Sequence, residues 1–146
     1  MGEMERSGLI ILAASPRYIT PPIGSVRQPA FLNMVLRMRG SIGPSALLRL
    51  LKTLERKAGR RERGHWQPRP LDLDIIDHGG RRIGPVSRRR ARSQLRLPHP
   101  EMHNRGFVLV PLSRIAPGWR HPVLGASARQ LLARCAHLAR GIRENR

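Results

Sequence analysis

Aromatic side chains are nearly absent: two Trp, one Tyr and two Phe make up 3% of the 146 residues. Aliphatic side chains must therefore fill the core. The same scarcity speaks against a surface that stacks bases, which needs aromatics interleaved with cations. Cysteine is reduced to Cys135, so no intrachain disulfide can form. In a C-terminal apolar pattern it reads as a small buried group, and the count suits the cytoplasm. No long apolar run is present. Leu9–Ala14 is the longest near the start, well under the ~20 residues of a membrane span and short for the apolar region of a signal peptide. It reads as a strand, and no targeting segment is visible. Lysine is limited to Lys52 and Lys57, and acids number 9 against 28 cations, a net charge of +19. A charge of this size attracts polyanions. Two readings follow: a nucleic-acid partner, or an arginine-rich surface around a triphosphate pocket. The length predicts a single domain over residues 1–146.

Leu9–Tyr18 reads as a strand ending near Pro16, and residues 19–30, with Pro21, Pro22, Gly24 and Pro29, as a loop. Phe31–Arg39 alternates loosely and predicts a second strand. After a turn at Gly40–Pro44, apolar residues at 47, 48, 50, 51 and 54 predict a helix over Ser45–Ala58, stopped by Gly59. Residues 60–70 form a basic loop. Leu71–Asp77 predicts a strand, and His78-Gly79-Gly80 a tight turn into Arg81–Ile83, together a short hairpin. Residues 84–94 are polar, basic and expected to be mobile. Pro98–Met102 opens a short helix. Phe107–Ile115 is apolar and leads into a turn at Ala116-Pro117-Gly118. Ser127–Arg143 carries apolar residues at 128, 131, 132, 135, 138, 139 and 142, the pattern of one amphipathic helix. The order predicts an α+β sandwich, helices covering an antiparallel sheet.

All three aspartates lie within one short run, Asp72, Asp74 and Asp77. In a strand, side chains two apart share a face, roughly 6.5–7 Å from each other. Two carboxylates on one face repel unless a cation lies between them. A divalent metal is the usual answer, and magnesium binds through one or two carboxylates while sharing itself with substrate phosphates. The competing reading is solvation or pairing with the many arginines. His99 and His103 stand at the spacing of a zinc pair, but no Glu-x-x-His or Cys partner accompanies them, so zinc is not expected. Glu55 has Leu51 and Gly59 at its i±4 positions, so no helix ion pair is expected for it.

The run His65-Trp66-Gln67-Pro68-Arg69-Pro70-Leu71-Asp72-Leu73-Asp74-Ile75-Ile76 closely resembles the signature of the 6-hydroxymethyl-7,8-dihydropterin pyrophosphokinase family of folate biosynthesis. Tyr18–Gly24, Gln28–Asn33, Glu55–Arg60 and Leu97–Phe107 resemble further family segments. The resemblance implies a ferredoxin-like α+β sandwich with an antiparallel sheet. It implies an ATP-dependent diphosphotransferase, with ATP as co-substrate and two Mg²⁺ ions held by Asp72 and Asp74. Arg60 and Arg69 would serve catalysis beside the two aspartates. Thr20, Pro21, Ile23, Phe31, Asn33, Trp66 and Phe107 would bind the pterin, Phe31 and Phe107 stacking on opposite faces. Glu55, Arg63, Trp66, Arg69, Ile75, His99 and Arg105 would bind ATP, Glu55 accepting from the adenine or ribose region. Loop 60–70 would close over bound ATP.

The chain departs from the family pattern in several places. Phe31 stands where Tyr is commoner, and Arg96 where a small hydroxyl residue is common. The 60–70 loop is one residue short, which leaves Arg61 and Arg63 both open as its second arginine. The family's opening strand, Gly-Ser-Asn-Leu turn and helix have no counterpart; residues 1–8 look like the tail of that helix. In the family's core that strand is central, so its loss would leave two unpaired edges. A coding start placed too late, a decayed copy without activity, or a partner chain filling the gap are the open explanations. The survival of every later substrate block favours the first. A basic nucleic-acid-binding module is the alternative from another functional class. Oligomeric state is not legible.

Overall fold

A computed structural model describes residues 2–21, 30–59, 71–84 and 95–145. The chain falls into two compact units, Met1–Leu9 with Gly40–His99, and Ile10–Arg39 with Pro100–Arg146. The expected basic loop 60–70, most of the 84–94 segment, and Ile23, Arg60, Arg61, Arg63, Trp66 and Arg69 lie outside the described residues. So does Gln28-Pro29.

The first unit opens with helix α1 (Gly2–Arg6), after which Leu9 is buried. Its main element is α2 (Pro44–Lys57). Pro44 occupies the first turn, where a missing N–H costs nothing. Arg56 and Lys57 lie in the last turn, against the negative end of the helix dipole. Gly59 follows at φ +94°, a conformation that favours glycine. Leu51 and Glu55, four apart and hence on one face, are both buried.

Leu71–Asp77 does not form the predicted strand and hairpin. Among the described residues it belongs to no strand ladder. The turn itself is present: Gly79 and Gly80 take positive φ, and the Asp77 carboxylate accepts the Gly80 N–H at 3.2 Å. Ile83, however, exchanges both backbone hydrogen bonds with Leu97 at 2.9 Å, an antiparallel bridge, so the returning chain pairs onward rather than back. The helix expected from Pro98 begins later, as a single 3₁₀ turn at Met102–Asn104.

The second unit holds two antiparallel sheets with helices, the expected α+β composition. Strand β1 (Ile10–Ala14) pairs with β4 (Leu36–Arg39), with a bulge between Ile11 and Ala13. Strand β2 (Tyr18–Thr20) lies between β3 (Phe31–Asn33) and β5 (Arg143–Glu144). The single strand expected over Phe31–Arg39 is thus two, and the start of the expected 19–30 loop is strand. The break has a local cause. Ser15 donates its N–H to the Val35 carbonyl at 2.9 Å, and the Val35 N–H bonds the Ser15 hydroxyl at 3.0 Å. One side chain replaces a ladder partner there, and the chain changes sheets.

Helix α3 (Gly106–Ile115) packs against β2 and β3 and against α4 (Ala128–Arg134). Ser127 and Gln130 close α4's N-terminus as a reciprocal capping box. The long C-terminal helix expected over Ser127–Arg143 ends at Arg134. Cys135 leaves helical geometry at φ −119° and ψ 31°, its thiol 3.6 Å from the His103 carbonyl. A 3₁₀ turn at Ala136–Ala139 follows, and Gly141 at φ +77° turns the chain into β5. Cys135, Leu138, Ala139 and Ile142 stay half-buried, so the apolar spacing survives where the α-helix does not.

A Cβ on Gly106 would run into the backbone carbonyl of Leu138, which no rotamer change can relieve. Gly118 has open space and no left-handed φ. Gly106→Ala is expected to lower stability by about 1–3 kcal/mol, and Gly118→Ala to stay within about 0.5 kcal/mol, both read by urea unfolding.

Candidate active site

In the first unit, the acidic segment shows a period of two. Asp72 is exposed, Leu73 half-buried, Asp74 exposed and Ile75 buried. Both carboxylates are therefore exposed while Leu73 and Ile75 turn inward; Leu71, before them, is exposed. Two backbone hydrogen bonds hold this arrangement. The Glu55 carboxylate accepts the Leu73 N–H at 2.8 Å, between the two aspartates. The His99 N–H donates to the Ile76 carbonyl at 2.9 Å. The His99 ring also approaches the Asp74 carboxylate, Nε2 to Oδ2 at 4.0 Å, the outer limit of an ion pair. Asp72, Asp74, Ile75 and His99 thus form one group.

Glu55 is 1% exposed. Lys52 Nζ lies 3.1 and 3.0 Å from its two oxygens. This corrects the expectation that Glu55 has no helix partner: the cation stands three residues earlier, a spacing as close on a helix as four. The i−3 position was the signal that would have found it.

In the second unit, the Asn33 amide donates to the Thr20 hydroxyl at 2.8 Å. The two residues sit diagonally across the β2–β3 pair, within side-chain reach. Thr20 is buried, Pro21 exposed, and Phe31, opposite Thr20, is 45% exposed. At the start of α3 the Arg105 guanidinium lies 5.7 Å from the centre of the half-buried Phe107 ring, within cation–π range. His103 packs edge-on to His121.

The residues available suit some metals better than others. Among the described residues, no group of three or more His, Cys, Asp or Glu is gathered to hold an ion. Two outward carboxylates of a hard-oxygen type fit an ion that completes its shell with water and phosphate, as magnesium does. They do not form a protein-only cage.

The family description of 7,8-dihydro-6-hydroxymethylpterin-pyrophosphokinase matches residues 1–117. The chain belongs to this pyrophosphokinase family. A 2-amino-4-hydroxy-6-hydroxymethyldihydropteridine pyrophosphokinase of Synechocystis is 41% identical over 105 residues, 72% of this chain and 50% of that protein. The relative of the same name from Pseudomonas aeruginosa is 38% identical over 125 residues, 86% of this chain and 72% of that protein. The Bacillus subtilis one is 35% identical over 111 residues, 76% of this chain and 62% of that protein. The chain thus spans about half the length of the Synechocystis relative. Helix α4 and strand β5 lie beyond the matched family region. No helix among the described residues is long and apolar enough to cross a membrane.

Thr20→Val removes the acceptor of the Asn33 amide. It is expected to shift the Asn33 side-chain NH₂ resonances in an amide NMR spectrum and to cost about 0.5–1.5 kcal/mol of stability.

Proposed function

We propose that the chain transfers diphosphate from ATP to 6-hydroxymethyl-7,8-dihydropterin, giving AMP and the pterin diphosphate in folate biosynthesis. The observation that carries this reading is the outward pair Asp72 and Asp74, held in register by Glu55 and His99, in a chain of the pyrophosphokinase family. Asp72 and Asp74 would hold two magnesium ions. Bound magnesium would neutralise the triphosphate and align it for in-line displacement. The pterin hydroxyl oxygen forms its bond to the β-phosphorus as the bond from that phosphorus to the α–β bridging oxygen breaks. AMP leaves with the bridging oxygen, and the hydroxyl proton passes to solvent.

Arg60, Arg69, His99 and Arg105 would offset charge growing on the phosphates, Arg through its planar fork. Arg63, Trp66 and Ile75 would complete the nucleotide site. Phe31, 45% exposed, would stack the pterin against Phe107, beside Pro21, Ile23 and Trp66. Asn33 would meet the pterin's amide edge while Thr20 fixes its own amide. A polar site of this kind rejects heterocycles that leave its groups unpaired. The cytoplasm, where both substrates are soluble metabolites, is the proposed location.

The test is AMP release from ATP and Mg²⁺, with and without the pterin alcohol, beside an Asp72→Ala, Asp74→Ala double variant checked for folding by circular dichroism. Pterin-dependent AMP that falls by at least about 10²-fold in the variant supports the reading. A folded wild type releasing no pterin-dependent AMP sinks it.

A further inference from the structure

The nucleotide contact expected of Glu55 sits poorly with its surroundings. A carboxylate 1% exposed is costly to bury unless it is paired and hydrogen-bonded. Glu55 is both. One bond comes from Lys52 on its own helix. Another runs across from the backbone N–H of Leu73, a contact 18 residues away in sequence.

Leu73 is the residue between Asp72 and Asp74. In a strand ladder a neighbouring backbone would hold its amide. Among the described residues Leu71–Asp77 has no such ladder, and the amide of half-buried Leu73 still needs an acceptor. Glu55 meets that need from α2. Because the side-chain period of an extended chain is two, fixing the rotation at Leu73 fixes the direction of both neighbours. A twist there would turn Asp72 and Asp74 away from a common point. The backbone carbonyl of Ile76 is tied separately, by the His99 N–H at 2.9 Å. The segment is thus tied on both sides of Asp74, and among the described residues the Glu55 bond is the one that lies between the two aspartates.

We infer that Glu55 is a positioning residue: its carboxylate takes the place of a neighbouring strand at Leu73 and holds Asp72 and Asp74 converged on the metal. This rests on the reading of the two aspartates as metal ligands. It makes Glu55 an outer partner of the ion rather than a contact of adenine or ribose. Outer partners of this kind typically change metal affinity by 10–100-fold when removed.

The experiment uses the full chain, with Mn²⁺ as a paramagnetic probe and α,β-methylene ATP, whose α–β link cannot be cleaved. Mn²⁺ affinity is read by electron paramagnetic resonance, and Leu73 amide exchange by NMR. Wild type is expected to bind Mn²⁺ with a slowly exchanging Leu73 amide. Glu55→Ala is expected to speed that exchange and weaken Mn²⁺ about 10–100-fold, while metal-free analogue affinity is kept. Glu55→Gln retains an acceptor oxygen and should restore both readouts. Unchanged Mn²⁺ affinity in Glu55→Ala overturns the inference, as does an equal loss of metal-free analogue affinity, which marks a direct nucleotide contact. Should Glu55→Ala not fold, Glu55→Gln decides: folded with Mn²⁺ bound supports the inference, and folded without it overturns it. A wild type that binds no Mn²⁺ overturns instead the assignment of Asp72 and Asp74 on which the inference stands.

Discussion

One hydrogen bond, from the Leu73 N–H to the buried Glu55 carboxylate, decides how the acidic segment presents itself. The segment is extended in its exposure pattern yet lies in no ladder among the described residues. Its conformation therefore depends on side-chain and backbone ties at a few points. Glu55 ties the centre, His99 ties the Ile76 carbonyl, and the buried Ile75 side chain supplies apolar anchorage. The lysine one turn before Glu55 makes this possible, because a carboxylate without a cation in that position would be costly to keep charged. Helix α2 thereby links its own buried face to the direction of two aspartates on another segment.

Charge distribution gives the acidic pair its meaning. With +19 overall, the chain's field favours anions almost everywhere. A triphosphate would meet arginines at many points of such a surface, none of them selective by charge alone. Asp72 and Asp74 supply the contrast. As metal ligands they would make binding of the anion conditional on a divalent cation, which would distinguish a metal–nucleotide complex from any other polyanion. The residues proposed for the pterin would contribute selectivity of another sort, through the Thr20-anchored Asn33 amide and the exposed Phe31.

Much of this was legible in the residues. Helix α2 was bounded by Pro44 and Gly59, whose backbone preferences act locally. The acidic pair was legible because its neighbours are aliphatic and its surroundings basic. Features set by distant partners were not. The Ser15–Val35 exchange splits an apparently continuous strand, and nothing in either residue's neighbours announces it. The hairpin after Asp77 fails because Ile83 finds Leu97, beyond a basic stretch of sequence. The long C-terminal helix fails at Cys135, since spacings of three and four fit a 3₁₀ turn as well as an α-helix over short runs. The Lys52–Glu55 pair has a spacing of three, which the i±4 positions do not include.

The central claim is that this chain binds a nucleotide through a divalent metal held by Asp72 and Asp74, and not through its arginines alone. Calorimetric titration of α,β-methylene ATP into the chain, in Mg²⁺ and again in excess chelator, addresses it directly. Saturable binding in Mg²⁺ that chelator weakens severely without abolishing is the expected result. Equal affinity in both buffers, falling only as salt rises, would contradict it and would describe a basic surface that binds polyanions without regard to metal.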